Sequence, residues 1–175
     1  TVLDCYLLLP FHKELELVSG RPVLYLVRDV YSSMIVGFHL AFDGPNWEGA
    51  LQAIYNAFTD KKEFCREFGV KIDESEWPCA VVCNEFTIDN GMEWPPEQVI
   101  DLLRAGLGID AANYTRIHFG RGKGGVEGEF SHVLDLVKFV AGYVEKRPKK
   151  GDKHASTAAA YTYTDLVKLL ISFVL

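Results

Sequence analysis

Three apolar runs crowd the chain before Phe42, and they narrow what it can fold into more than any other feature. Val2 to Leu9 is strand-like and stops at Pro10. A polar stretch closes at Gly20, and Pro22 then precedes Val23-Leu24-Tyr25-Leu26-Val27, the composition of a buried strand. Arg28 to Ser33 is polar and turn-like, and Met34 to Phe42 resumes as a strand. Strands that follow one another through short polar connections predict an antiparallel meander.

The period then changes. Asp43-Gly44-Pro45-Asn46 ends the third run, and Asn46 is placed to cap a helix. Trp47, Ala50, Leu51, Ile54, Tyr55 and Phe58 fall on one helical face. Residues 59–78 are charged and less regular, a helical extension and a long loop. Ala80 to Cys83 is a short apolar run, and Phe86 to Ile88 reads as a strand. Pro95-Pro96-Glu97 opens a helix, with proline in the first turn and an acid at the positive dipole end. Val99, Leu102, Leu103 and Leu107 form its stripe, and Gly108 its stop. Tyr114 to Phe119 alternates like a strand. Gly120 to Gly125 reads as a glycine-rich basic loop, after which Val126, Phe130, Val133, Leu134, Val137 and Ala141 mark another helix.

Residues 142–157 are polar and basic, and read as a mobile linker. Residues 158–175 carry a last helix, from about Thr164 to Leu175. There is no internal repeat. The order is βββ-α-β-α-β-α plus a final helix, an α/β sandwich whose mixed sheet starts antiparallel and continues parallel. A length of 175 residues suggests one domain, and 49% hydrophobic residues can fill its core.

A net charge of −6 does not advertise a nucleic-acid binder, although Lys146, Arg147, Lys149, Lys150 and Lys153 cluster. That run is either a solvated charge run or a contact for DNA phosphates. Cys5, Cys65, Cys79 and Cys83 do not form a disulfide scaffold, and reduced thiols in a cytosolic protein are expected. Cys79 and Cys83 sit in an apolar run, where buried inert thiols outweigh a metal site with His118 and His132. No apolar run reaches transmembrane length, and no signal-peptide pattern opens the chain. It starts in a strand-like run and ends in a helix-like one, as expected of a piece of a longer protein.

Chemistry centres on Glu85 to Trp94. A β-branched and aromatic run delivers Asp89 to its carboxyl end, and Asn90-Gly91 then turns the chain. Glu127 falls in the first turn of the helix after the glycine-rich stretch. Carboxylates meeting at one sheet edge would repel unless a cation neutralised them. Hard oxygen donors favour Mg²⁺ or Mn²⁺, and two such ions roughly 3.5–4 Å apart stabilise in-line displacement at phosphorus. The plainer readings are a strand-end turn and an acid at a helix dipole. Gly120-Arg121-Gly122-Lys123-Gly124-Gly125 also satisfies G-x-G-x-x-G, with Glu145 twenty residues beyond. A dinucleotide site, a basic loop on a phosphate backbone and a plain connection all remain open. No strand follows residue 141, and no G-K-[ST] ending is present.

Three motifs carry a resemblance. Gly20-Arg21-Pro22-x-Leu24 with Arg28-Asp29-Val30-Tyr31-Ser32-Ser33-Met34-Ile35-Val36-Gly37 resembles the second and third strands of an integrase catalytic core. Ile88-Asp89-Asn90-Gly91-x-Glu93-Trp94 resembles its second-aspartate motif. Lys123-Gly124-Gly125-Val126-Glu127-x-x-Phe130 resembles the stretch bearing its glutamate. The chain is therefore similar to the DDE transposase and retroviral integrase superfamily, in particular to TnsB-type and Mu-type bacterial transposases. The resemblance implies an RNase H-like fold with a mixed five-stranded sheet flanked by helices. It implies a triad holding two Mg²⁺ or Mn²⁺ ions, with Asp89 its second acid and Glu127 its third, which cleaves DNA at transposon ends and joins the 3′-OH to target DNA. Arg121, Lys123 and Asn90 would contact DNA. Other transposase subunits would be partners, in a multimer on DNA in the bacterial cytoplasm. Thr1 would match the threonine of the family's Asp-x-Thr, placing the first acid two positions upstream and leaving this piece inactive alone. Asp4 lies an odd number of positions from that site, on the opposite strand face. Asp29 reads as a structural turn residue. Gly128 stands where relatives carry arginine. The alternatives are a non-catalytic RNase H-like module binding DNA or protein, and a dinucleotide-binding enzyme using residues 120–125.

Overall fold

The computed structural model describes residues 1–9, 17–88, 97–109, 111–114, 120–144 and 154–175, without the side chains of 98, 99, 111–114 and 120–127. Its first ladder is a hairpin. β1 (Val23–Arg28) and β2 (Ile35–Ala41) pair antiparallel, Val23 opposite Ala41 and Val27 opposite Gly37. Asp29 builds the turn: the amide and hydroxyl of Ser32 both donate to its Oδ2 at 2.6 Å. Arg28 Nε donates to the Ser33 carbonyl at 3.1 Å, and Ser33 takes a φ of +66°. Asp29 is thus the structural turn residue that the sequence suggests.

The run Val2 to Leu9 keeps the strand period, since Leu3, Cys5 and Leu7 are all buried. Its backbone partners change along its length. The Leu3 amide donates to Pro22 at 2.8 Å and the Leu24 amide to Thr1 at 2.7 Å, extending the pairing beyond β1. Further on, Tyr6 donates to Gly142 and Leu8 to Tyr161, at 3.0 and 2.8 Å. The run therefore stitches segments together and does not form a continuous third ladder among the described residues.

α1 (Trp47–Phe58) starts as expected, with Asn46 Oδ1 accepting the Gly49 amide at 2.8 Å. The buried face differs from the expected one. Gly49, Ala53, Ile54, Asn56 and Ala57 are buried, whereas Tyr55 is exposed. Small residues at four-residue spacing let the helix lie directly on the hairpin. A Cβ on Gly37 would stand 2.6 Å from the Ala57 nitrogen, and one on Gly49 2.5 Å from the Tyr25 ring. Of the expected stripe, Ile54 is buried, and Trp47, Leu51 and Phe58 pack partly buried around it. Asn56 Oδ1 accepts the Phe38 amide at 3.0 Å, tying helix to strand.

α2 (Lys61–Glu67) follows at once, capped by Asp60, whose Oδ1 accepts the Glu63 amide at 2.8 Å. Lys61 is only 3% exposed. Its ammonium donates to the carbonyls of Asn56, Ala57 and Thr59, the end of α1, and lies 5.4 Å over the Trp77 ring. Trp77 stacks on Phe38 and donates its Nε1 to the Ile35 carbonyl at 2.8 Å.

The second ladder is parallel. β3 (Glu85–Ile88) pairs with β4 (Ala111–Tyr114), Glu85 opposite Ala111 and Ile88 opposite Tyr114. The crossover is α3 (Glu97–Asp101) running into a π-helical segment, Leu102–Gly106. Leu103 is fully buried but Leu102 and Leu107 are exposed, because the wider π turn carries a 3.6-residue stripe off its face. Gly108, at φ +67°, stops the helix as expected and donates to the Arg104 carbonyl at 3.1 Å. β4 begins before the expected strand at 114–119, of which residues 115–119 lie outside the described residues.

α4 (Gly120–Val137) corrects the expected loop at 120–125: the helix already includes the glycines. Val133 and Val137 are fully buried and anchor its second half, from which helical hydrogen bonds propagate back through the glycines. Past Val137, Gly142 turns the chain at φ +96°. The expected linker has a short 3₁₀ helix, Ala155–Ala158, near its end, while residues 145–153 lie outside the described residues. α5 (Tyr163–Val174) matches the expected last helix. Thr162 and Asp165 form its capping box. Leu166, Val167, Leu170 and Ile171 bury fully against Leu3, Leu7, Leu24 and Val133. A second cluster joins Ile54 of α1 to Leu103 and Ile109 of the crossover, with Phe86 of β3 packed against it.

Candidate functional site

Two parallel strands leave a sheet at the same edge, so the carboxyl ends of β3 and β4 lie together. Ile88, the last residue of β3, is buried and paired with Tyr114. Asp89 is the next residue in the chain. It and Asn90 lie outside the described residues, as does the basic run at 146–153. On the other strand, α4 starts six positions after Tyr114 and carries Arg121, Lys123 and Glu127 in its backbone. With a rise of about 1.5 Å per residue, Glu127 falls roughly 10 Å along the axis from Gly120, two turns in. The expectation of a first-turn position is thereby corrected, and helix-dipole attraction no longer explains the acid.

The G-x-G-x-x-G stretch is likewise inside α4, not in a turn between strand and helix. A dinucleotide fingerprint needs its glycines in that turn, where the backbone approaches the pyrophosphate. The backbone therefore gives that reading no support.

Elsewhere the described residues offer no competing chemistry. All four cysteines are free, Cys5 and Cys65 buried, and Cys79 and Cys83 half-buried where full burial was expected. Burial pushes the Cys5 thiol up to about 12 and that of Cys65 to about 11, so neither supplies a thiolate near neutral pH. The Cys79 thiol donates to the Val36 carbonyl at 3.6 Å. Among the described residues no three His, Cys, Asp or Glu side chains gather to hold a metal. Asp4 is paired with Arg21 at 3.0 Å.

Sequence periodicity does not single out Lys61, the buried cation of the described residues. The signal that could have found it is its place just past a helix end, where a lysine can satisfy the last carbonyls.

A hairpin laid under a helix and a parallel pair joined by a helical crossover define an α/β domain with antiparallel and parallel pairing. The family model described as the TnsB C-terminal domain matches residues 1–141, and the chain belongs to that family. It is 35% identical over 147 residues to the transposon Tn7 transposition protein TnsB of Escherichia coli, covering 83% of this chain and 20% of that protein. It is 24% identical over 156 residues to the transposase for transposon Tn552 of Staphylococcus aureus, covering 87% of this chain and 28% of that one. The chain thus spans under a third of either relative. No helix among the described residues is long and apolar enough to cross a membrane.

Proposed function

We propose that the chain is the catalytic core of a DDE transposase, with an RNase H-like fold built on a mixed five-stranded sheet, and that the full-length protein cuts and joins DNA by metal-dependent phosphoryl transfer. The observation that carries this reading is the parallel β3–β4 pair in a chain of this family. Asp89 follows one strand at the shared edge, and the helix after the other carries Glu127. Ligands of open α/β sheets gather outside the carboxyl ends of parallel strands.

Asp89 and Glu127 are the second and third acids in this reading. Asp4, paired with Arg21, has no part in it. Carboxylate oxygens are hard donors and fit Mg²⁺ or Mn²⁺. Two such ions would neutralise charge at the phosphate and activate the attacking oxygen. Asp89 and Glu127 hold that charge at the sheet edge, and Arg121, Lys123 and Asn90 position the DNA backbone through phosphate contacts. The partners are transposon-end and target DNA, with other transposase subunits in a cytoplasmic multimer.

Strand transfer by the full-length protein tests this. Asp89→Asn and Glu127→Gln should each lower the rate by at least about 10²–10³-fold while DNA binding persists. Wild-type rates in Asp89→Asn would identify a non-catalytic binding module instead.

A further inference from the structure

The turn of the first hairpin displays apolar side chains that the chain itself does not cover. Val30 is 85% exposed and Tyr31 98%. The backbone beneath them is held from several sides. Asp29 accepts from the amide and hydroxyl of Ser32, and the Met34 amide donates to the Ser32 hydroxyl at 3.2 Å. The Asp29 amide donates in turn to the Met34 carbonyl at 2.9 Å. A tip fixed this way loses little conformational freedom on docking, and tyrosine is among the residues that anchor protein interfaces. Arg28 and Asp29 flank it with charges that sum to zero, so it lacks the excess positive charge that a phosphate backbone rewards. A second feature lies on the far part of the chain. An open groove of about 480 Å³ runs along α5, lined by Ala160, Tyr161, Asp165, Lys168, Leu169 and Ser172. Tyr161 and Leu169 pack partly buried against the main core and give the groove an apolar floor. Asp165 and Lys168 are exposed and bring one charge of each sign.

We infer that the hairpin tip of one copy of this chain docks into the α5 groove of a second copy. Val30 and Tyr31 cover the apolar floor, while Asp29 is matched in sign by Lys168 and Arg28 by Asp165. The tip does not fill the groove of its own chain, since Tyr31 stands almost wholly in solvent. The two surfaces differ, so the contact is heterologous. Each copy offers its tip to one neighbour and its groove to another, and the copies form a row or a ring. A buried tyrosine removes only about 150–250 Å² from water, so a single contact is weak and gains strength where several copies are held side by side. The contact needs neither a metal ion nor the carboxylates of the sheet edge.

Sedimentation velocity of the full-length protein, without DNA or metal, tests the docking. Tyr31→Ala removes the knob and Ser172→Arg fills the groove. Both positions are exposed, so each variant should keep the wild-type thermal midpoint. Alone, each should self-associate at least about tenfold more weakly than the wild type. An equimolar mixture should recover association and stop at dimers, because the Ser172→Arg copy keeps its tip and the Tyr31→Ala copy keeps its groove. Wild-type association in either variant alone, or a mixture no stronger than its components, would overturn the docking. A wild-type protein that stays monomeric up to about 1 mM would overturn it too. Either failure leaves the proposed phosphoryl transfer standing, since no step of it passes through the tip or the groove.

Discussion

Lys61 shows how one residue can replace a missing cap. α1 ends without a basic residue in its last turn; Thr59 donates its amide and hydroxyl to the Asn56 carbonyl, but the buried Ala57 carbonyl has only the Lys61 ammonium for a donor among the described residues. The Lys61 ammonium accepts that task and also faces the Trp77 ring. Burial pulls its pKa below the ordinary lysine value, but carbonyl dipoles and a π face both favour the charged form. Lys61→Met keeps the apolar stem and removes the donor. It should cost about 2–3 kcal/mol in urea denaturation, since a buried carbonyl is left unpaired. Gly37 makes a second residue-scale demand. Gly37→Ala drives a methyl into the α1 backbone and should cost about 1–3 kcal/mol in the same measurement. His39 makes a third. Burial holds its imidazole below the ordinary 6.5, so between the two values the unfolded chain binds more protons than the folded one. Its contribution is intact above pH 6.5 and is lost as pH falls through the folded value, then stays level. His39→Gln should remove that step from a plot of denaturation midpoint against pH.

Among the elements, α1 depends on its first residues. Asn46 caps the helix and its own amide donates to the Tyr25 hydroxyl at 2.7 Å, so cap and hairpin are one unit. Asn46→Ala should lower stability by about 1 kcal/mol, read as a shift of the thermal midpoint. The existence of α1, its cap, the hairpin, the Gly108 stop and α5 were all legible in the residues, because each has a local cause. Faces were less legible. The burial of Gly49, Ala53 and Ala57 in place of Tyr55 follows from how closely a helix can approach Gly37, a tertiary fact that no 3.6-residue pattern contains. The π segment had no signal either, and it displaced Leu102 and Leu107 from their expected positions. At the candidate site, the strand leading to Asp89 and the helix bearing Glu127 were legible. The extent of that helix was not, because glycine propensity argues for a loop and the anchored half overrides it.

At the scale of the molecule, α5 matters more than its position suggests. It lies beyond the 1–141 span of the family match, yet Leu166, Val167, Leu170 and Ile171 complete the main core. Leu170→Ala should cost about 2–5 kcal/mol. Removal of residues 163–175 should abolish a cooperative melting transition by circular dichroism. The stitching run at Leu3 to Leu8 has a further consequence, for synthesis. β1, β2 and α1 are neighbours in sequence and can close as soon as they emerge. Leu8, by contrast, waits for Tyr161 and Thr162, and Leu3 and Leu7 wait for α5. During translation these leucines lack the α5 part of their cover until nearly the last codon of the segment has been read, an exposure of the kind that chaperones for apolar extended segments act on.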